Sequence, residues 1–280
     1  MVLHALWLVI IRLIYNTIHV NYEGYINEKY TVHTVIFTIY FSIVEMIKYL
    51  INMFGYEILK KKKIQTINNH LQHIFNSAKI NYVIDVGANE GQFALSLRRN
   101  NYKGDILSFE PTSKPFKKLV EISKNDKHWD VMNLALGEKK ESRKINVFEA
   151  SDLNSFYEAS ALGKNRFNKG MKKIETETIE IKTLDSILKK IDLKNKNIFL
   201  KMDTQGFDIS VFRGSKKHMS KICGLMSEIP IQQIYKTTQS YHDILKEYEA
   251  EKFQISGIFP VSQNKKNNTA IEFDCVMLKS

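Results

Sequence analysis

The chain has 280 residues, 44% of them hydrophobic and 25% charged, which is an ordinary globular composition and enough chain to bury a normal core. Four prolines and twelve glycines are too few for a fibrous or low-complexity protein. The net charge of +11 is spread over scattered lysine doublets, without zinc-ligand spacing or an arginine-rich segment, so nucleic acid is disfavoured as a partner.

Residues 1–54 differ from the rest of the chain because they are apolar, aromatic and poor in charge. Apolar and polar positions recur at helical spacing in residues 3–17 and 32–54, and a polar stretch separates the two segments, which predicts a helical hairpin. Three explanations stay open: a membrane-associated hairpin, two helices packed on the following domain, and a start codon assigned upstream of the true one.

A helix that spans a membrane is less favoured than one that lies on it. Arg12 interrupts the first apolar segment, and the second has only a short apolar centre, from Val35 to Val44. The basic run Lys60–Lys63 follows the second segment and would hold it at the cytoplasmic face of a membrane. Cys223 and Cys275 both lie in apolar runs, which indicates buried thiols and a reducing cytoplasm.

The next predicted element is a helix over residues 64–78, where apolar side chains recur at helical spacing. His70 and His73 lie three residues apart on this helix. No third ligand accompanies them, so the pattern favours a solvated helix face and no metal site is predicted.

A strand, a glycine turn and a helix follow one another between residues 82 and 100. Tyr82–Val86 is a short apolar and β-branched run, typical of a buried strand, and residues 92–100 are helix-like. Such an elbow binds nucleotides at the carboxyl end of an open α/β sheet. Its spacing differs from that of phosphate-binding motifs, which suits S-adenosylmethionine (SAM), although a purely structural turn fits as well. The candidate cofactor-binding residues are Asp85, Gly87, Ala88, Asn89 and Gly91.

The second strand covers residues 103–110 and ends in Glu110. An acid about 20 residues past the glycine turn is where a ribose hydroxyl finds its acceptor, although an exposed carboxylate in a turn fits the pattern as well. A helix and a third strand over residues 128–136 follow, and strands that alternate with helices predict a doubly wound, mostly parallel sheet. The candidates to flank an adenine at the end of the third strand are Asn133 and Ala135.

Residues 143–149 and 178–183 alternate like half-exposed strands. Residues 151–173 between them are polar and are predicted to form a loop over the ligand cleft, with Ser155 among its candidate contacts. The rest of the chain predicts two more parallel strands, a helix and an antiparallel pair of closing strands at the sheet edge, over residues 198–202, 222–229, 242–252, 253–259 and 269–278. The sheet and its helices make one predicted domain, residues 55–280.

From about Phe54 to its end, the chain resembles the FkbM-type SAM-dependent methyltransferases. The resemblance rests on five blocks, Val-Ile-Asp-Val-Gly-Ala-Asn-Glu-Gly (83–91), Ser-Phe-Glu-Pro (108–111), Asn-Leu-Ala-Leu-Gly (133–137), Thr-Leu-Asp-Ser (183–186) and Leu-Lys-Met-Asp-Thr-Gln-Gly-Phe-Asp (200–208). The last block is the most specific, because few other methyltransferases follow the acid of the fourth strand with a glycine, an aromatic residue and a second acid. Many members carry Glu where this chain has Gln205 and Asp208.

The resemblance implies a Rossmann-like sheet, SAM as the cofactor, and methyl transfer to a hydroxyl of a small molecule or a glycan. A hydroxyl acceptor must be aligned with the methyl group and must lose its proton. Asp203, at the end of the fourth strand, is the first candidate for the base, although the N-cap of a helix beginning near Phe207 fits it nearly as well. Lys201 and Glu228 are the second choices.

Two other functions stay open. One is a SAM-binding or interaction module that has lost catalysis. The other is a nucleic-acid methyltransferase, for which the scattered lysines are the only support.

Overall fold

The structure, a computed structural model, describes residues 28–56, 66–264 and 266–279. The residues divide into two compact units, Met1–Ile64 and Gln65–Ser280. All of the strands in the described residues belong to the second unit, together with every block on which the family resemblance rests.

The first unit contains helix α1 (Glu28–Met53). It covers nearly all of the predicted helix over residues 32–54 and begins four residues earlier, whereas the predicted helix over residues 3–17 lies outside the described residues. Within the described part of the chain, no helix combines the length and the apolar character that crossing a membrane requires. The domain boundary placed after residue 54 stays a prediction.

The described residues of the second unit form ten strands: β1 (Tyr82–Val86), β2 (Asp105–Phe109), β3 (Trp129–Met132), β4 (Ala135–Leu136), β5 (Glu141–Phe148), β6 (Lys173–Lys182), β7 (Ile198–Met202), β8 (Ile222–Pro230), β9 (Phe253–Gln263) and β10 (Ala270–Lys279). Their helices are α2 (Ile67–Ser77), α3 (Gln92–Arg99), α4 (Ser113–Ser123), α5 (Ala161–Phe167), α6 (Leu184–Leu188), α7 (Asp208–Arg213) and α8 (Tyr241–Ala250).

Seven strands form one sheet in the order β3-β2-β1-β7-β8-β10-β9. The pairs from β3 through to β8 are parallel, and β10 runs antiparallel to both β8 and β9. This confirms the predicted doubly wound sheet with an antiparallel edge. The strand order reverses at β1, so the carboxyl ends of β1 and β7 border the crevice in which such sheets bind ligands.

Alternating side chains bury both faces of this sheet. Ile84 and Leu200 belong to the core cluster that includes residues of α6, α7 and α8. Val83 and Phe199 belong to the cluster that includes residues of α2, α3 and α4. Burial on both sides explains why the parallel strands are almost continuously apolar. Asp85 and Lys201, which lie in register on β1 and β7, interrupt these runs.

A second, three-stranded sheet has the order β4-β6-β5. The prediction of one strand over residues 128–136 is therefore wrong: β3 pairs with β2, and β4 pairs with β6 in the other sheet. The side chain of Asn133 explains the break, because its Nδ2 donates to the carbonyl oxygens of Glu110 and Pro111 at 3.0 Å each and ends the ladder there. The predicted loop over residues 151–173 contains α5 and two short 3-10 segments.

Candidate functional site

The turn after β1 contains two glycines that the surrounding protein requires. Gly87 has φ +74°, and a Cβ atom there would lie 1.9 Å from the carbonyl oxygen of Asp203. Gly91 has φ +91°, and its Cβ would lie 2.9 Å from the ring of Trp129. A cavity lies at the carboxyl ends of β1 and β7, and Gly87 lines it, but Gly91 does not. Gly91 therefore allows close approach of Trp129, and its predicted contact with the cofactor stays a prediction.

A buried ion pair joins β1 to β7 beneath this turn. Lys201 Nζ lies 3.0 Å from Asp85 Oδ1, donates to the carbonyl oxygen of Gly87 at 3.1 Å, and lies 3.6 Å from Asp203 Oδ2. The side chains of Lys201 and Asp85 are 5% and 0% exposed. Ser108 Oγ donates to Asp85 Oδ2 at 3.3 Å. Asp85 thus helps to fix the turn and does not line the cavity, and its predicted contact with the cofactor stays a prediction.

Lys201 is held as an ammonium ion. Burial opposes its charge, but the carboxylates of Asp85 and Asp203 outweigh that effect and raise the pKa of the lysine. A base must give up its proton near the working pH. This environment argues against the prediction of Lys201 as a base and assigns it the task of fixing the turn.

Glu110 follows β2 and is buried beside the same turn. Its Oε2 accepts a hydrogen bond from the backbone N–H of Asn89 at 2.9 Å, and its Oε1 accepts one from the N–H of Thr112 at 2.8 Å. Burial raises its pKa, and the bonds from Thr112 and Asn89 oppose that rise. Glu110, Ala88 and Asn89 all line the cavity. Glu110 therefore orders the turn and also lines the cavity.

The segment after β5 covers the turn. Ser151 Oγ donates to Asn89 Oδ1 at 3.0 Å. Ser155 is fully buried, and its Oγ donates to the carbonyl oxygen of Gln205 at 2.8 Å. Ser155 does not line the cavity, whereas its neighbour Phe156 does. Ser155 therefore ties the covering segment to the end of β7.

The cavity enclosed by these elements has a volume of about 360 Å³, which lies within the usual range for small-molecule sites, roughly 300–1,000 Å³. Of the two predicted adenine neighbours, Ala135 lines the cavity. Asn133 is exposed, and its side chain donates to the carbonyl oxygens that follow β2. The apolar lining at the β2 and β4 side consists of Phe109, Pro111, Leu134, Ala135, Leu136, Ile145, Phe156 and Phe207.

Three carboxyl groups lie in a row on the other side of the cavity. Asp274 on β10 is the direct partner of Glu228 on β8. The paired residues Met202 and Ser227 of β7 and β8 immediately precede Asp203 and Glu228. The three acids therefore share one face of the sheet at its ligand-binding edge, and all three line the cavity.

Two acids of this row hold their protons more tightly than ordinary carboxyl groups do. Burial, followed by repulsion from Asp203, raises the pKa of Asp274 to about 7. Burial also raises the pKa of Glu228 well above its usual range, and Asp203 and Glu272 add to the shift. Closely spaced carboxyl groups cannot all ionise, and environments that separate their pKa values mark acid–base sites.

Gln205 connects two acids of the row. Its Nε2 donates to Asp203 Oδ1 at 2.9 Å and to Glu228 Oε1 at 3.3 Å. The hydroxyl of Tyr235 donates to Gln205 Oε1 at 2.8 Å. Gln205 holds this position with φ +52°, in the left-handed region. The residue that departs from the family pattern is thus an amide bridge within the site.

The interpretation of Asp203 as a helix cap is wrong. Helix α7 begins after Phe207, and the carboxylate of Asp208 accepts a hydrogen bond from the backbone N–H of Thr204 at 2.8 Å. Ser227 Oγ donates to the other oxygen of Asp208 at 2.7 Å. Asp208 therefore orders the turn after β7, whereas Asp203 lines the cavity.

The sequence does not single out Asp274 as a site residue, because it lies in a run that predicts an ordinary edge strand. Its place in the row depends on the antiparallel register between β8 and β10. Among the described residues, no group of three or more His, Cys, Asp or Glu side chains is arranged to hold a metal ion.

The chain was compared with known protein families and with curated proteins. The sequence model of a family described as the methyltransferase FkbM domain matches residues 85–255, more than half of the chain. No curated protein matches the chain.

Solved structures also resemble it. An rRNA methylase from Streptococcus thermophilus is 9% identical, with 77% of this chain and 98% of that chain covered and a TM-score of 0.41. A precorrin-6y C5,15-methyltransferase from Geobacter metallireducens is 8% identical, with 80% and 94% covered and a TM-score of 0.40. TrmK of M. capricolum, in complex with the cofactor product S-adenosylhomocysteine (SAH), is 10% identical, with 74% and 68% covered and a TM-score of 0.39. Similarities this low carry no argument about substrate or mechanism.

We predict that Lys201→Met weakens the fold itself. The substitution keeps most of the apolar stem but leaves Asp85 buried without its cation, so the free energy of unfolding should fall by about 3–5 kcal/mol. Urea denaturation followed by fluorescence measures it. Lys118→Met is the control, because its ion pair with Glu90 is exposed and should contribute less than about 1 kcal/mol. Equal, small losses in both variants would contradict a structural role for the buried pair.

Proposed function

The chain belongs to the FkbM methyltransferase family and is a SAM-dependent methyltransferase, and from this premise we propose that it methylates a hydroxyl of a small molecule or a glycan. The observation that carries the proposal is the carboxyl row formed by Asp203, Glu228 and Asp274 along the cavity. A hydroxyl becomes a competent nucleophile only as it loses its proton, and a carboxylate held beside it is a suitable acceptor.

The cavity residues fit SAM as the bound methyl donor. Glu110 offers a carboxylate edge for ribose hydroxyls, and the apolar walls on the β2 and β4 side suit an adenine ring. The acids at the other end suit the positive charges of the sulfonium and the amino group. When bound, SAM supplies an activated methyl group. The protein's own contribution is to align the acceptor, keep water away and receive the proton.

A nucleic-acid acceptor is the weaker alternative. Of the described residues that line the cavity, five are acidic (Glu110, Asp152, Asp203, Glu228 and Asp274) and one, Lys201, is basic. The single lysine is already paired inside the protein. A phosphate backbone binds through many free cations, so an acidic cavity disfavours it despite the positive charge of the whole chain.

Acceptor discovery with labelled SAM tests the proposal directly. The full chain is incubated with cell extract and methyl-deuterated SAM, and mass spectrometry then searches for products that carry the labelled methyl group. Alkali treatment separates methyl ethers, which survive, from methyl esters, which are cleaved. An alkali-stable methyl ether supports the proposal. Labelled nucleic acid, or a labelled ester or amine, would contradict it. SAM binding without any labelled product supports a non-catalytic module.

We predict that Glu110→Gln weakens SAM binding. The amide keeps the size of the side chain but loses the charge that strengthens hydrogen bonds to ribose hydroxyls, worth about 1.5–3 kcal/mol, or roughly ten- to a hundredfold in Kd. Calorimetry with SAM measures it. Glu90→Gln is the matched control, because Glu90 lies in the same turn but does not line the cavity. Unchanged affinity in a folded Glu110→Gln variant would place the ribose elsewhere.

We also propose that the N-terminal unit lies on the cytoplasmic face of a membrane. Helix α1 and the turn after it expose large apolar side chains, namely Phe37, Tyr40, Phe41, Ile43, Ile47, Tyr49, Met53, Phe54 and Tyr56. The lysine run 60–63 follows them in the sequence. Apolar side chains next to a basic cluster are the two features that hold an interfacial segment on anionic lipid.

Vesicle flotation tests this location. The full chain should float with vesicles of phosphatidylcholine and phosphatidylserine, and a chain that starts at Gln65 should not, while both bind SAM. Replacing the four lysines 60–63 by glutamine should weaken flotation, because each lysine contributes about 1 kcal/mol at an anionic surface. A full chain that stays unbound, or a truncated chain that floats equally well, would contradict the proposal.

A further inference from the structure

The three acids of the carboxyl row are not equally free to receive a proton. Asp203 accepts a hydrogen bond from Gln205 on one oxygen and lies 3.6 Å from the Lys201 ammonium on the other. Glu228 receives the second contact from Gln205 at 3.3 Å. Within the described residues, no side chain or backbone group donates a hydrogen bond to Asp274 or pairs with it as an ion, although its carboxyl group lines the cavity.

The surroundings of Asp274 set when it is charged. Glu228 is its direct partner on β8, Asp203 follows β7 and Glu272 lies two residues away on its own strand. These three acids, and Asp208 of α7 on the opposite face of the sheet, each disfavour a further negative charge. Lys201 on β7 is the cation that opposes them. The partner of Asp274 in register on β9 is Phe259, which carries no charge. Four acids therefore raise the pKa of Asp274, and one ammonium group opposes them.

We propose that Asp274 is the general base that takes the proton from the acceptor hydroxyl. Lys201 and Gln205 then hold Asp203 in place, and its carboxyl group orients the acceptor. This inference rests on the proposed O-methylation and adds the identity of the base.

The reaction balances with the groups named. The O–H bond of the acceptor breaks and its proton passes to a carboxylate oxygen of Asp274, while the acceptor oxygen forms a bond to the methyl carbon. The electron pair of the broken S–C bond stays on sulfur, so the sulfonium charge disappears as the product forms. The protonated Asp274 returns its proton to water through the open side of the cavity.

The first test needs no acceptor. Carboxyl-carbon NMR of aspartate-labelled full-length protein, with SAH bound, follows each carboxyl group through a pH titration, and the Asp274→Asn variant identifies the Asp274 signal by its loss. The expected midpoint is near 7. If that variant does not fold, Asp274→Glu identifies the signal, because the glutamate at this position does not carry the aspartate label. A midpoint in the ordinary range, about 4, would overturn the inference.

The second test uses the acceptor found with labelled SAM. The parent's rate should rise with pH through about 7 and then level off, because the carboxylate form of Asp274 is the active one. Asp274→Asn should lower kcat roughly 10²–10⁴-fold and abolish that rise while SAM affinity stays near that of the parent. Asp203→Asn should lower kcat by about 10–100-fold and keep the rise.

Asp130→Asn is the control for an Asp-to-Asn substitution, because Asp130 is an exposed strand residue outside the cavity. The kcat of this variant should equal that of the parent. If the enzyme forms a methyl ether but Asp274→Asn keeps the parental rate and pH profile, the inference fails and the proposed function stands. If labelled SAM yields no methyl ether, the proposed function fails, and the inference with it.

Discussion

The ammonium of Lys201, buried between Asp85 and Asp203, is the constraint on which the site depends. A charge removed from water is tolerated only when partners surround it, and breaking such a pair leaves the other charge uncompensated. The pair fixes the carboxyl ends of β1 and β7 against each other, and the bond from Lys201 to the Gly87 carbonyl fixes the turn above them. The turn positions Glu110 and the covering segment, because Asn89 of this turn bonds to Glu110 and to Ser151.

The same ammonium also shapes the chemistry at the far end of the cavity. Asp203 Oδ2 lies 3.6 Å from the ammonium, which also opposes the rise in the pKa of Asp274. Burial and the neighbouring acids nevertheless raise the pKa of Asp274 to about 7. A carboxyl group that titrates near neutral pH suits the transfer of a proton from a weak acid such as a hydroxyl.

Local sequence signals predicted the parts of the site that lie next to each other in the chain. The strand, the glycine turn and the acid after the second strand are short-range patterns, and the structure places Gly87, Asn89 and Glu110 together at one cavity. The break in the predicted third strand depends on one amide side chain, Asn133, which donates to two carbonyl groups immediately after β2, and no local pattern specifies this contact.

The other misses depend on three-dimensional register. Asp203 fits a helix cap in sequence, and only the structure shows that α7 begins after Phe207 and that Asp208 binds the backbone N–H of Thr204 in the preceding turn. Asp274 lies far from the other acids in the chain and joins them through the pairing of β10 with β8, which no local pattern specifies. Lys201 looked like a catalytic candidate because the sequence does not reveal that Asp85 lies 3.0 Å from its ammonium.

The structure of the complex with SAH tests the central claim most directly, namely that this cavity binds the methyl donor between Glu110 and the carboxyl row. We expect a ribose hydroxyl within hydrogen-bond distance of Glu110 and an adenine between the apolar walls on the β4 side. The sulfur should be directed toward Asp203, Glu228 and Asp274. A ribose bound away from Glu110, or a sulfur directed away from the three acids, would contradict it.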